Sequence, residues 1–221
     1  MKFNLEVSNE LRQACPNYRG AAVYATVRNT LHSEGLWQEI DAFTHELQAT
    51  ETVDSIKQQT AIVATRDAYR ACGKDPSRYR PSAEALRRRL LRGLNLYQID
   101  TLVDLINLVS LRTGYSIGGF DADKIQGSDL CLGIGKADEE FEGIGRGPLN
   151  IEGLPVYRDA IGGIGTPTSD HERTKMGIET THILALINGY SGEKGLQEAA
   201  EMTLDLLKKY ADATEGEIVL Y

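Results

Sequence analysis

LVDLINLVSLRTGYSIGGF, Leu102 to Phe120, changes its periodicity halfway along. Its first part sets Leu102, Val103, Leu105, Ile106, Leu108, Val109 and Leu111 so densely that a helix here has to be buried on most sides. Asp100 stands where an N-cap belongs, and Gly114 closes the helix. After Gly114 the chain turns to short apolar runs between glycines: SIGGF, DLCLGIG, LNIEGLPVYRD and ETTHILALI. That is strand-and-turn composition.

Upstream of this switch the reading is mostly helical. MKFNLEV alternates Phe3, Leu5 and Val7 with polar residues, as a half-buried strand does, and AAVYATV (21–27) reads as a second strand. Leu36, Ile40, Phe43 and Leu47 then fall at helical spacing. Ile56, Ile62, Val63, Ala64 and Tyr69 do the same until Gly73. Pro81 blocks continuation from upstream, and Ser82 is the expected N-cap of a helix over 83–92 that Gly93 ends. Downstream, Leu196, Ala199, Ala200, Leu204, Leu207 and Tyr210 share one helical face, and EIVLY (217–221) reads as a last strand. The expected class is α+β: one domain over 1–221, with helices mainly in the N-terminal half packed on a strand-rich C-terminal half.

Composition narrows the function classes. The chain has 221 residues, 41% of them hydrophobic and 25% charged, as in an ordinary soluble globular protein. No run approaches the roughly 20 apolar residues of a membrane span, and MKFNLEVSNE carries no secretory signal. Cys15, Cys72 and Cys131 are too far apart for a disulfide framework or a zinc site. His32, His45, His171 and His182 lack metal-ligand spacing. The expectation is a cytoplasmic protein with reduced thiols and no metal or other cofactor. A net charge of −8, from 32 acidic and 24 basic residues, opposes nonspecific nucleic-acid binding. An RNA contact would need a local patch, and Arg78, Arg80, Arg87, Arg88, Arg89 and Arg92 form one candidate. Three consecutive arginines cannot share one helix face, so a solvated, ion-paired stripe is the plainer reading.

Four stretches carry a resemblance: GKDPSRYRPSAEALRRRLLRG, LVDLINLVSLRTGYSIGGFDADKI, VYRDAIGGIG and SDHERTKMGIETTHILALI. Together they resemble the B3/B4 domain of the phenylalanyl-tRNA synthetase β subunit, and more closely the free-standing B3/B4-domain proteins of many bacteria. The resemblance runs from about Gly73 to Ile187. The first 70 residues read as a family-variable part. The synthetase domain hydrolyses mischarged tyrosyl-tRNA, so the resemblance implies a central pocket for an amino acid esterified to a tRNA 3′ end. No ligase core is present, so charging of tRNA is not expected.

Carried over residue by residue, the resemblance places Asn107 on a pocket asparagine. Ile106 stands where a threonine is usual, Gly118 where the synthetase has a histidine, and Leu186 where it has the glutamate that recognises the tyrosine hydroxyl. Without that acceptor a tyrosine hydroxyl is not rewarded in the same way. The glycines Gly118, Gly119, Gly162 and Gly163 are expected around the pocket, with Phe120 on its wall. AIGGIGTPTSDHERTK (160–175) supplies the floor, where Thr166, Thr168 and Ser169 offer hydroxyls, and Asp170 and Glu172 offer carboxylates. Amides at Gly162 to Gly165 are expected oxyanion donors, and Asp170 or His182 the candidates for orienting a water. Substrate-assisted attack through the tRNA terminal hydroxyl would need few protein groups. Arg78, Arg80, Arg87 and Arg88 are the expected tRNA contacts. The expected function is trans-editing by an aminoacyl-tRNA deacylase. The alternatives are a noncatalytic binder of a free amino acid or similar metabolite, and an interaction module whose pocket is plugged by Leu186 and Ile106.

Overall fold

A computed structural model describes residues 2–221. The chain begins with β1 (Asn4–Val7) and α1 (Asn9–Ala14), the latter capped by Ser8 Oγ, which accepts from Leu11 N at 3.2 Å. β2 (Arg19–Thr26) and α2 (Glu34–Thr50) follow, then α3 (Thr60–Ala71), α4 (Ser82–Leu91) and α5 (Thr101–Thr113). The strand-rich part holds β3 (Ile117–Asp121), β4 (Asp129–Ile134), β5 (Glu142–Gly143), β6 (Gly147–Pro148), β7 (Pro155–Arg158), β8 (Gly163–Gly165) and β9 (His182–Gly189). The chain closes with α6 (Leu196–Tyr210) and β10 (Thr214–Leu220).

Two four-stranded sheets organise the core. The larger runs β10-β2-β9-β3 and is antiparallel throughout. The second runs β1-β4-β7-β8, with β1 parallel to β4. The strands of the first 26 residues are thus built into both sheets.

β2 and β9 are apolar on both faces because both faces of the larger sheet are covered. Ala21, Val23, Ile183, Ala185 and Ile187 face α5 and α6, in one cluster with Leu105, Val109, Leu204 and Leu207. Ala22, Phe120, Leu184 and Leu186 face the second sheet, in a cluster with Leu130, Leu132, Tyr157 and Ile164. A strand buried on both sides loses its polar alternation, which is why AAVYAT and ILALI read as continuous apolar runs.

Two boundaries differ from the sequence expectation. Ser82 does not cap α4: Pro81 is the N-cap, with φ −53° and ψ 142°, and Ser82 is the first helical residue. Proline sets that boundary because its ring fixes φ, and Ser82 N is taken by the Pro167 carbonyl at 2.8 Å. Of LNIEGLPVYRD, only Pro155–Arg158 forms a strand of the second sheet. The Gly135–Leu154 and Gly153–Gly135 backbone bonds fold the preceding residues into a turn.

The N-terminus of α5 follows the expectation. Asp100 Oδ1 accepts from Val103 N at 2.9 Å, and Gly114 ends the helix at φ 79°. Asn29 Oδ1 also accepts from Leu102 N at 3.1 Å, tying the helix to the end of β2. Replacing Asp100 by Ala is therefore expected to lower unfolding free energy by about 1 kcal/mol in a urea titration, without changing its slope.

Candidate functional site

The free edges of the two sheets, β3 and β8, meet at one segment. Asp170 makes a backbone bridge to Gly165 of β8, and Lys175 bridges Phe120 of β3. Between these bridges Asp170 extends its carboxylate back to β3, where Oδ2 accepts from Gly119 N at 3.1 Å. A turn sets this up: Thr166 Oγ1 donates to the Ser169 carbonyl at 3.0 Å and accepts from Thr168 N and Ser169 N. ST-type turns of this kind explain the TPTS sequence before Asp170.

Above this junction lies a cavity of about 390 Å³. α5 forms one wall with Val103, Ile106, Asn107 and Ser110, and Gly119, Ser169 and Asp170 form the opposite one. Ile99 and Ile144 stand at its rim, both substantially exposed. A wider hollow of about 640 Å³ lies between the end of α1 and α3, with Cys15 and Tyr190 in its lining. It holds none of the residues expected to bind a ligand.

Of the residues expected at the pocket, Asn107, Gly119, Thr166, Ser169 and Asp170 converge on this cavity. The others lie elsewhere, for reasons of register. Gly118 points to the opposite face of β3, and a Cβ there would stand 2.7 Å from the Phe120 ring. Phe120 itself is fully buried between the sheets, so it is core and not wall. Leu186 pairs with Gly118 and is likewise enclosed between the sheets, so it does not plug the cavity. Thr168 is buried, its hydroxyl 2.8 Å from that of Tyr69. Gly163 faces Phe141, and the Gly162 amide donates to Asp159 Oδ1 at 3.1 Å, so it is not an idle oxyanion donor. His182 sits at the start of β9 with its Nδ1 2.8 Å from Asp123 Oδ2, outside the cavity lining.

The arginines divide in the same way. Arg78 and Arg80 are exposed. Arg87 is only 3% exposed and cannot grip a phosphate. Its guanidinium donates to both Glu51 oxygens at 2.9 Å and to the Leu111 carbonyl at 2.6 Å. Arg88 is held by Glu84 at 2.7 Å, and Arg89 stacks on the Tyr97 ring at 4.0 Å.

The cavity is polar in a particular way: several of its groups have no protein partner. Ser110 is 2% exposed, yet its hydroxyl makes no hydrogen bond among the described residues, and the Asn107 amide makes none either. Asp170 Oδ1 is also without a donor; only Oδ2 is engaged. The enclosing protein pushes the Asp170 carboxyl from 3.8 up to about 7, burial outweighing the opposing Gly119 N–H. Asp170 keeps partial exposure on the cavity side, while the Phe120 ring and the β8 backbone enclose it elsewhere. Close approach demands glycine at 165, where a Cβ would lie 2.5 Å from the Phe120 ring and 2.7 Å from Asp170 Oδ1. Sequence reasoning named Asp170, beside His182, as a candidate for orienting a water, and missed Ser110 altogether. The signal for Ser110 was its place one helical turn beyond Asn107.

A protein-family model of the B3/4 domain matches residues 64–212, and the chain belongs to that family. Among solved structures it is similar to an N-terminal fragment of the phenylalanyl-tRNA synthetase β subunit from Pyrococcus horikoshii, with a TM-score of 0.53 and 14% identity. That similarity covers 99% of this chain and 50% of the fragment, so the chain spans half the length of the structure it matches. No curated protein matches the chain in sequence. Among the described residues no helix is long and apolar enough to cross a membrane.

The raised Asp170 carboxyl has a consequence for stability. The folded state favours the neutral acid, so this contribution is fully present below the ordinary value of 3.8 and is lost as pH rises through about 7. Asp170→Asn keeps the acceptor for Gly119 N and removes the titration. The variant's melting temperature is expected to overtake that of the parent increasingly across this interval and to hold a constant lead above it. A lead that does not change with pH would contradict the assignment.

Proposed function

We propose that this chain hydrolyses the ester of a mischarged aminoacyl-tRNA in trans, with the cavity between α5 and the Asp170 segment holding the aminoacyl group. The observation that carries this reading is the set of polar groups without protein partners in a cavity that Val103, Ile106, Ile117 and Met176 line with apolar surface. The Ser110 hydroxyl, the Asn107 amide and Asp170 Oδ1 have no hydrogen-bond partner among the described residues, which leaves their bonding capacity to a ligand or to water. Membership of the B3/4 domain family and the likeness to a synthetase β-subunit fragment support a tRNA-linked substrate.

In this reading the Asn107 amide and the Ser110 hydroxyl are the donors for the oxyanion that develops on the ester carbonyl. No histidine lines the cavity, so the attacking water is oriented by the vicinal hydroxyl of the tRNA terminal ribose. The aminoacyl side chain lies against Val103, Ile106 and Met176. Arg78 and Arg80 are the exposed cations left to meet the acceptor strand. One observation favours noncatalytic binding of an amino acid instead: the cavity lining offers no histidine, and Phe120 closes the space beside Gly118.

The test is deacylation of a panel of labelled aminoacyl-tRNAs by the purified protein. Hydrolysis of one or a few species is expected. Gly119→Val, whose side chain would displace Met176 and fill the cavity, is expected to lower the rate by at least ~10²-fold. No hydrolysis of any species above buffer would overturn the deacylase reading.

A further inference from the structure

The cavity lining contains one carboxylate, Asp170, and one cation, Lys175. They do not serve each other. Lys175 Nζ is bound to Glu172 Oε2 at 2.5 Å. Asp170 has no ion pair among the described residues, and its one protein donor is an uncharged amide. A carboxylate enclosed by protein and left without a cation is unfavourable by itself. A ligand group that carries a positive charge and donates to this carboxylate from the cavity side would complete it.

The remaining walls define the other end of that ligand. The Asn107 amide and the Ser110 hydroxyl can donate to an oxygen. No unengaged lysine or arginine lines the cavity to balance a second negative charge. The oxygen facing them is therefore best a neutral carbonyl and not a carboxylate. The apolar wall of Val103, Ile106, Ile117 and Met176 excludes a charged side chain.

We propose that Asp170 is the receptor for the α-ammonium group of the ligand, and that the cavity selects α-amino acids whose carboxyl is esterified or amidated and whose side chain is uncharged and apolar. The inference rests on the reading that this cavity is the ligand site, but not on hydrolysis occurring there. It gives the site a net preference for a singly positive aminoacyl group over a zwitterionic free amino acid. Within a tRNA ester, it distinguishes a free amine from a blocked one.

Calorimetry with simple probes tests this on the intact protein. The probes are the amides of valine, leucine, isoleucine, methionine and phenylalanine, the corresponding free amino acids, and the N-acetyl amides. At least one amide is expected to bind, with its free amino acid and its N-acetyl amide each weaker by tenfold or more. Asp170→Asn is expected to lower the affinity of that amide by a similar factor while its N-acetyl counterpart stays unchanged. Equal binding of an amide and its N-acetyl form to the unaltered protein would overturn the proposal, as would no binding by any amide. The two readings fail separately. Amide binding without tRNA hydrolysis removes the deacylase and keeps the ammonium receptor. Hydrolysis that is indifferent to N-acetylation of the aminoacyl-tRNA keeps the deacylase and removes the receptor.

Discussion

The edges of two sheets have to be closed in this protein, and one short segment closes both. β3 and β8 each end a four-stranded sheet with an open row of backbone groups, which is a liability unless covered. Residues 165–175 cover both edges through the Gly165–Asp170 and Phe120–Lys175 bridges and the hydrogen bond from Gly119 N to Asp170. The geometry demands a backbone without side chains at Gly118 and Gly165, because the Phe120 ring lies under both. It also fixes the carboxylate of Asp170 where water is scarce. The cavity, its idle acceptor and its raised carboxyl all follow from that one closure.

The basic residues follow a different logic. Glu84 is buried and takes both Arg66 at 2.8 Å and Arg88 at 2.7 Å, while Arg87 is committed to Glu51. Breaking such a buried network by removing one partner is costly, because the remaining charge is stranded. The arginine-rich stretch of α4 is thus largely a structural brace between α3, α4 and the end of α2. Its flanks, Arg78, Arg80 and Arg92, are exposed and without an ion pair among the described residues.

Much of the fold was legible in the sequence because its signals are local. The dense apolar set of Leu102 to Leu111 and the Asp100 and Gly114 punctuation belong to one helix and need no partner to be read. The strands β2 and β9 announced themselves by uninterrupted apolar runs. The site was less legible because it depends on register and on distant partners. Gly118 and Gly119 are neighbours in sequence, yet strand alternation sends one to the intersheet core and the other to the cavity. Arg87 and Arg78 are alike in composition, but Glu51, 36 residues before Arg87, decides which of them is buried. His182 is spent on Asp123, a contact across 59 residues that periodicity does not reveal.

The central claim is that Asp170 is a carboxylate enclosed at the sheet junction, on the cavity wall and without a cation of its own among the described residues. Carbon-13 NMR titration of the aspartate carboxyl resonances, with Asp170 assigned from the Asp170→Asn spectrum, tests it directly. The account predicts a midpoint near 7 for Asp170 in the free protein. It also predicts a clear downward displacement of that midpoint when an aminoacyl amide is added. A midpoint at the ordinary carboxyl value, unmoved by the amide, would contradict it.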